Sequence, residues 1–368
     1  MNDEPLVLLN PGPACTTERV RAALGRGDMC HRESEFTALL ADLREGLVRC
    51  LNVAETHETV LVTGSGTSAM EMAVISSVRE GRSLLVVNNG VYGDRLAKIA
   101  RANGIPVTEV SGDWTTPIDP ELVREALAAD PSIDAVAMVF HETTTGLINP
   151  VRAVGAVVRD SEACFVVDAI SATANEDEDL ADIDADFICG TANKGLHALP
   201  GMSFILVSQK AVRRLYEVPT RSLYLNAATY LDGQRKGDVP FTPAVQVCFA
   251  LDEAIKEFEE RGGFAARTAE YRARADLVRK AVNDLGLKIL VEPPHRSNAV
   301  TMIRLPEGVT YPTLHDELKA AGYVIYAGQG TLSKEFFRIA TMGEIPWPKL
   351  ERFVDVLGST VHQLRSQG

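Results

Sequence analysis

Positive charge is what this 368-residue chain has too little of. Thirty-seven Lys and Arg face fifty Asp and Glu, a net charge of -13. Nucleic acid is therefore not an expected partner, because phosphate backbones need a basic face. A small anionic substrate stays open, since a few local arginines outweigh the global field at close range. Cysteine is sparse and scattered, at 15, 30, 50, 164, 189 and 248, with no CxxC pair. That spacing supports neither a zinc site nor a disulfide framework, and no metal is expected. No apolar run approaches the ~20 residues that span a bilayer, so no membrane is expected either. The opening Met1-Asn2-Asp3-Glu4-Pro5 lacks the basic and apolar stretches of a signal peptide, and a cytoplasmic location is the expectation.

What is present is the composition of a folded protein, 46% apolar and 24% charged, in a chain long enough for two domains. Apolar runs at Val60–Val62, Ser83–Asn88, Ala135–Phe140, Phe165–Asp168, Phe187–Ile188 and Ser203–Val207 read as buried strands. Helix-like stretches at Ser68–Val78, Asp94–Ala102, Pro120–Ala129 and Val151–Asp160 separate them. This alternation predicts an α/β fold with a mostly parallel sheet between helices. After Pro243 the pattern changes to two long helices, Val245–Arg261 and Ala265–Leu285, followed by mixed strands and helices. Three parts are expected: an N-terminal segment (1–16) packing at the active site and small domain, a large domain (17–255) and a smaller C-terminal α+β domain (256–368).

Three strand ends carry chemistry. Val60-Leu61-Val62 runs into Gly64-Ser65-Gly66-Thr67-Ser68-Ala69, a glycine turn opening a helix. Such a turn aims free backbone N–H groups at one point, as a phosphate requires, and Ser65, Thr67 and Ser68 can add hydroxyl donors. A capped tight turn with no ligand explains the same string. The string also matches the dinucleotide fingerprint G-x-G-x-x-A. That reading needs an acid about 20 residues on, and the next strand ends instead in Asn88-Asn89-Gly90. The second end is Asp168, closing Phe165-Val166-Val167. The third is Lys194, following Phe187-Ile188-Cys189-Gly190-Thr191-Ala192-Asn193, where small neighbours confine the amine. Alone, Asp168 reads equally as a helix cap or surface turn, and Lys194 as a common surface charge. Together, a phosphate cradle, a carboxylate for a pyridine nitrogen and a lysine for an aldehyde are the parts that pyridoxal 5'-phosphate needs. A dehydrogenase has no use for Asp168 or Lys194.

With these parts in place, the chain resembles the class V aminotransferases of pyridoxal-phosphate fold type I. The resemblance is carried by LNPGP at 9–13, HRESEF at 31–36, GSGTSAME at 64–71 and NNGVYGDR at 88–95. It continues through HETTTG at 141–146, VVDAIS at 166–171, TANK at 191–194 and FRIATMGEI at 337–345. It implies a seven-stranded large-domain sheet and roles for individual residues. Ser65, Gly66 and Thr67 hold the phosphate, Tyr92 stacks on the ring, Thr143 meets the ring hydroxyl, Asp168 the ring nitrogen, and Lys194 forms the Schiff base. Thr242 reaches the phosphate of a neighbouring subunit in a homodimer, although Val239 stands where relatives often place a tyrosine.

Within the family, HETTTG, Arg221-Ser222-Leu223-Tyr224-Leu225 and the 324–344 region look most like members acting on 2-aminoethylphosphonate and pyruvate. The partners implied are a small amine donor and a 2-oxo acid acceptor. Arg338, and secondarily Arg32, are the anion-binding candidates, because guanidinium pairs with carboxylate and phosphonate alike. Gln329 stands where some of those relatives carry lysine, which leaves open another small amine donor, such as alanine or serine with glyoxylate, or a substituted aminoethylphosphonate. A lyase on the same scaffold is the remaining alternative. A desulfurase needs a cysteine in a C-terminal loop, and none follows Cys248.

Overall fold

The computed structural model describes residues 5–367. Strands β1 (His57–Gly64), β2 (Ser83–Asn88), β3 (Val107–Ser111), β4 (Ile133–Val139), β5 (Cys164–Asp168), β6 (Phe187–Thr191) and β7 (Gly201–Ser208) form the main sheet. Their order is β1-β7-β6-β5-β4-β2-β3, and β7 runs antiparallel to both neighbours while the other pairs are parallel. The apolar runs follow from burial on two faces. In β4, Val136 and Met138 enter one core cluster while Ala135, Ala137 and Val139 enter the other. Helices Gly66–Ile75 and Val91–Ala102 pack on the second face, and helices Ser34–Cys50 and Val245–Glu260 on the first.

Sheet polarity places the site. The carboxyl ends of β1, β2, β4, β5 and β6 share one edge, and the antiparallel register sets Gly201 of β7 opposite Gly64 of β1. Open α/β sheets bind ligands at such an edge.

The C-terminal part has its own core around Val278, Phe337, Ile339, Phe353 and Leu357. Strands β8 (Val300–Arg304), β9 (Tyr326–Ala327) and β10 (Phe336–Ala340) form its sheet in the order β8-β10-β9. The N-terminal segment belongs here in part: Val7–Leu8 pairs with Tyr323–Val324, and Leu9 is fully buried in this core. The run Tyr323–Tyr326 is thus not one strand. Its first half pairs with the N-terminal segment and its second half with β10.

The expected boundary between 255 and 256 needs correction. It falls inside the helix Val245–Glu260, whose Phe249, Ile255 and Phe258 lie in one core cluster of the large domain. The helix ends at Glu260 with Arg261 as its cap, and Gly262 and Gly263 follow with left-handed φ of 97° and 66°. We propose drawing the division there.

Candidate active site

Ser65, Gly66, Thr67, Tyr92, Asp168 and Lys194 line one cavity of about 520 Å³ at the carboxyl edge of the sheet. Ser65 is the N-cap residue of helix Gly66–Ile75, yet its side chain makes no capping bond. Its hydroxyl is left for a ligand together with the amides of Gly66 and Thr67, while Ser68 N already donates to Ser65 O at 2.8 Å. Ser68, also a candidate donor from sequence, turns away: its Oγ donates to Ser65 O at 2.7 Å and lies 2.9 Å from Ser203 Oγ. Two glycines are needed for the turn. A Cβ on Gly64 would stand 2.4 Å from Ser68 Oγ, and one on Gly66 would stand 2.9 Å from Ile170 Cδ1.

Asp168 ends β5 and is buried, with Ile170 N donating to its Oδ1 at 3.0 Å. Burial pushes its carboxyl up to about 7, reinforced by the charge of Glu142. Lys194 is half-buried, and its amine donates to Pro11 O. Burial lowers the amine to about 8; Asp168 opposes this shift, while Arg338 and Arg95 add to it. Gly12 packs so tightly on the lysine that a Cβ would lie 2.5 Å from Nζ. Two acid–base groups moved in opposite directions towards neutrality mark a working site.

Arg338, on β10, is buried and held by Ala327 O at 2.9 Å and Thr143 O at 3.0 Å, with Gln329 Oε1 at 3.3 Å. Among the described residues no carboxylate pairs with it, and its recorded bonds use Nε and Nη1, so Nη2 remains for a ligand. Thr143 has a buried Oγ1 without a partner. That orphaned oxygen suits a ring hydroxyl.

Four candidates are not among the residues lining this cavity: Thr143 and Arg338, which are bonded to each other, and Arg32 and Thr242. Arg32 pairs with Asp238, donates to Val239 O at 3.0 Å, and is half exposed at the surface. Within the protomer Arg32 therefore lies outside the residues that line the cavity. Thr242 is exposed on the segment entering helix Val245–Glu260.

Sequence reasoning missed three groups. Glu142 is fully buried and accepts from Tyr92 N at 3.1 Å, Gly93 N at 3.4 Å and Thr144 N at 3.1 Å. Arg95 lines the cavity with its guanidinium 4.6 Å from the centre of the Tyr92 ring. His197, with φ of 59°, ties the lysine loop to the C-terminal part. Its N–H bonds Lys194 O at 3.0 Å, and its Nε2 lies 2.8 Å from Tyr271 Oη. The three-residue spacing of Tyr92 and Arg95 on a helix was a visible signal; the other two contacts join distant segments.

A cradle with unspent donors, a strand-end carboxyl and a confined lysine on this sheet define a pyridoxal-phosphate enzyme of fold type I. The residues present fit that cofactor, from the free Ser65 hydroxyl to the orphaned Thr143 Oγ1. Comparison narrows the class: the aminotransferase class-V family description matches residues 16–342, and the chain belongs to that family. It is a pyridoxal-phosphate-dependent aminotransferase. A 2-aminoethylphosphonate–pyruvate transaminase of Syntrophobacter fumaroxidans is 33% identical over 98% of both chains. A Vibrio vulnificus protein of the same description is 31% identical over 97% of this chain and 98% of its own. Among solved structures, the subgroup IV aspartate aminotransferase of Thermus thermophilus superposes with a TM-score of 0.89 at 25% identity. It covers 97% of this chain and 99% of its own.

Proposed function

We propose that the chain moves the amino group of 2-aminoethylphosphonate to pyruvate, giving phosphonoacetaldehyde and L-alanine in ping-pong half-reactions. The observation that carries this reading is Arg338, a buried guanidinium that among the described residues has no acid partner and has one nitrogen uncommitted. The relatives named above, of similar length and full overlap, support the substrate pair. We also propose a cytoplasmic homodimer. Thr242 is exposed beside an apolar patch in which Leu223 is 80% exposed and the rings of Tyr224 and Phe241 lie 5.1 Å apart. A patch of this kind at the edge of a site marks an interface, and Thr242 then serves the partner's cradle. Among the described residues no helix is long and apolar enough to cross a membrane.

The cofactor, when bound, supplies an electron sink for the bond broken at the substrate carbon. The chain does the rest. Asp168 would hold the proton on the ring nitrogen, and Tyr92 would pack against the ring. Lys194, its amine lowered to about 8 by burial, is a base close to neutral pH and would take up and return the proton at the donor carbon. Arg338 anchors the anionic end of donor or acceptor and sets which carbon faces Lys194.

A second reading has one observation in its favour. Gln329 gives Arg338 a neutral neighbour at 3.3 Å, and a single guanidinium suits a carboxylate as well as a phosphonate. Alanine or serine then competes as donor. Single-turnover absorbance of the holoenzyme separates the two. The phosphonate donor should discharge the lysine-bound chromophore to the amine form, and discharge by alanine or serine alone would transfer the reading to them.

A further inference from the structure

We propose that Arg95 is the positive partner of the cofactor's phosphate, a role resting on the reading of Ser65-Gly66-Thr67 as the phosphate cradle. Among the described residues lining the cavity, positive charge comes from Arg95 and Lys194. Lys194 is committed to the aldehyde carbon. The cavity must then hold a phosphate dianion in the same space as the Asp168 carboxyl, in a chain of net charge -13. A helix N-terminus offers only about half a charge against that.

Arg95 stands where the missing charge is needed. It is carried on helix Val91–Ala102, with its Nη1 3.4 Å from Thr67 Oγ1, the last residue of the cradle. Its planar group lies over the Tyr92 ring at 4.6 Å. With Cζ over that ring and Nη1 directed at Thr67 Oγ1, the guanidinium faces the cradle. Its fork is spent on no carboxylate among the described residues; Thr67 and the tyrosine face are its recorded contacts. Its charge also reaches the rest of the site, opposing the rise of Asp168 and adding to the fall of Lys194. The spacing of Tyr92 and Arg95 therefore serves two parts of one ligand: the tyrosine faces the ring, and the arginine three residues on faces the phosphate.

The test compares pyridoxal phosphate with pyridoxal, which lacks the phosphate, binding to cofactor-free protein by absorbance titration. Arg95→Gln should weaken pyridoxal phosphate by on the order of 10²-fold and pyridoxal by less than about threefold, as loss of a charge-assisted pair implies. Arg95→Lys should recover most of the difference, and inorganic phosphate should raise the melting temperature of wild-type apoprotein but not of Arg95→Gln. Equal weakening of both ligands would overturn the proposal and leave Arg95 as a support for Tyr92. So would an unchanged ratio in Arg95→Gln when Ser65→Ala alters it. If neither variant alters the ratio, the cradle itself is misplaced, and the proposal falls with it.

Discussion

Glu142 caps the helix that carries Tyr92. Its Oε2 accepts from Tyr92 N at 3.1 Å and Gly93 N at 3.4 Å, while its Oε1 accepts from Thr144 Oγ1 at 2.5 Å and Thr144 N at 3.1 Å. The absent side chain of Gly90 makes room, since a Cβ there would lie 2.3 Å from Glu142 Cδ. A buried acceptor at a helix start satisfies orphan N–H groups and answers the helix dipole. The ring wall of the cofactor site is thus set from a loop fifty residues away.

Glu142→Gln keeps the size and removes acceptors, turning an NH₂ towards N–H or O–H donors. It should cost about 1.5–3 kcal/mol, the usual worth of bonds to a charged group. Thermal melting of the apoprotein measures the cost, and pyridoxal-phosphate titration should show weakened binding as Tyr92 loosens. An unchanged melting temperature would show that Glu142 is not holding the helix.

Asp168 gives a pH prediction with a definite sign. Its folded value, about 7, lies above the ordinary aspartate value near ~3.9. Between those values the folded apoprotein binds a proton that the unfolded chain does not, so stability falls as pH rises through that window. Glu176, buried and pushed up to about 8, acts in the same direction. Asp168→Asn removes the first contribution. At pH 8 the apoprotein of this variant should melt above wild type by about 2–4 °C, and the gap should close towards pH 4. The holoenzyme reverses the balance, since a ring N–H⁺ beside Asp168 favours the carboxylate. A variant apoprotein that melts lower at pH 8 would mean that the burial cost is already compensated without cofactor.

Much of this was legible in the sequence because burial on two faces leaves continuous apolar runs. The central strands β2, β4, β5 and β6 and their strand-end residues were readable for that reason. Strand β3 was not: Val107–Ser111 lies at the sheet edge, half exposed, and its Thr108 and Glu109 break the run. Helix Ser34–Cys50 was hidden by its mixture of charges and leucines, and only its buried stripe of Phe36, Leu39, Leu40, Leu43 and Leu47 shows its period. Asp168 and Lys194 announced themselves by position at strand ends. Glu142 and His197 could not, because their roles arise only when segments dozens of residues apart are folded together. The pairing of Arg32 with Asp238 was hidden for the same reason, since 206 residues separate the two in the sequence.

Arg338→Ala should lower kcat/KM by on the order of 10²-fold, the range expected when one side of a desolvated ion pair is truncated. Arg338→Lys should recover little, because an ammonium lacks the fork that spans Ala327 O, Thr143 O and the substrate at once. Each half-reaction measured separately shows whether donor, acceptor or both use this group. Unchanged constants would make Arg338 a clamp between β10 and the HETTTG loop.

Gly12→Ala tests the segment lying over the lysine. Gly12 has a left-handed φ of 121°, and a Cβ there would meet Lys194 Nζ at 2.5 Å and Cε at 2.7 Å. Lys194 is the flexible partner in that clash, but the positive φ itself strains an alanine, so the variant should melt lower than wild type while the amine is displaced from Pro11 O, its resting acceptor. The effect should fall on the lysine rather than on the cradle. Formation of the visible lysine-bound chromophore from apoprotein should slow, and borohydride labelling of the Lys194 peptide should drop in a timed experiment. The binding of a phosphate-bearing analogue without an aldehyde should hold within about threefold, because the Ser65 to Thr67 turn lies elsewhere in the cavity. Equal losses for the aldehyde and the analogue would place Gly12 in the architecture of the whole site and remove its particular bearing on Lys194.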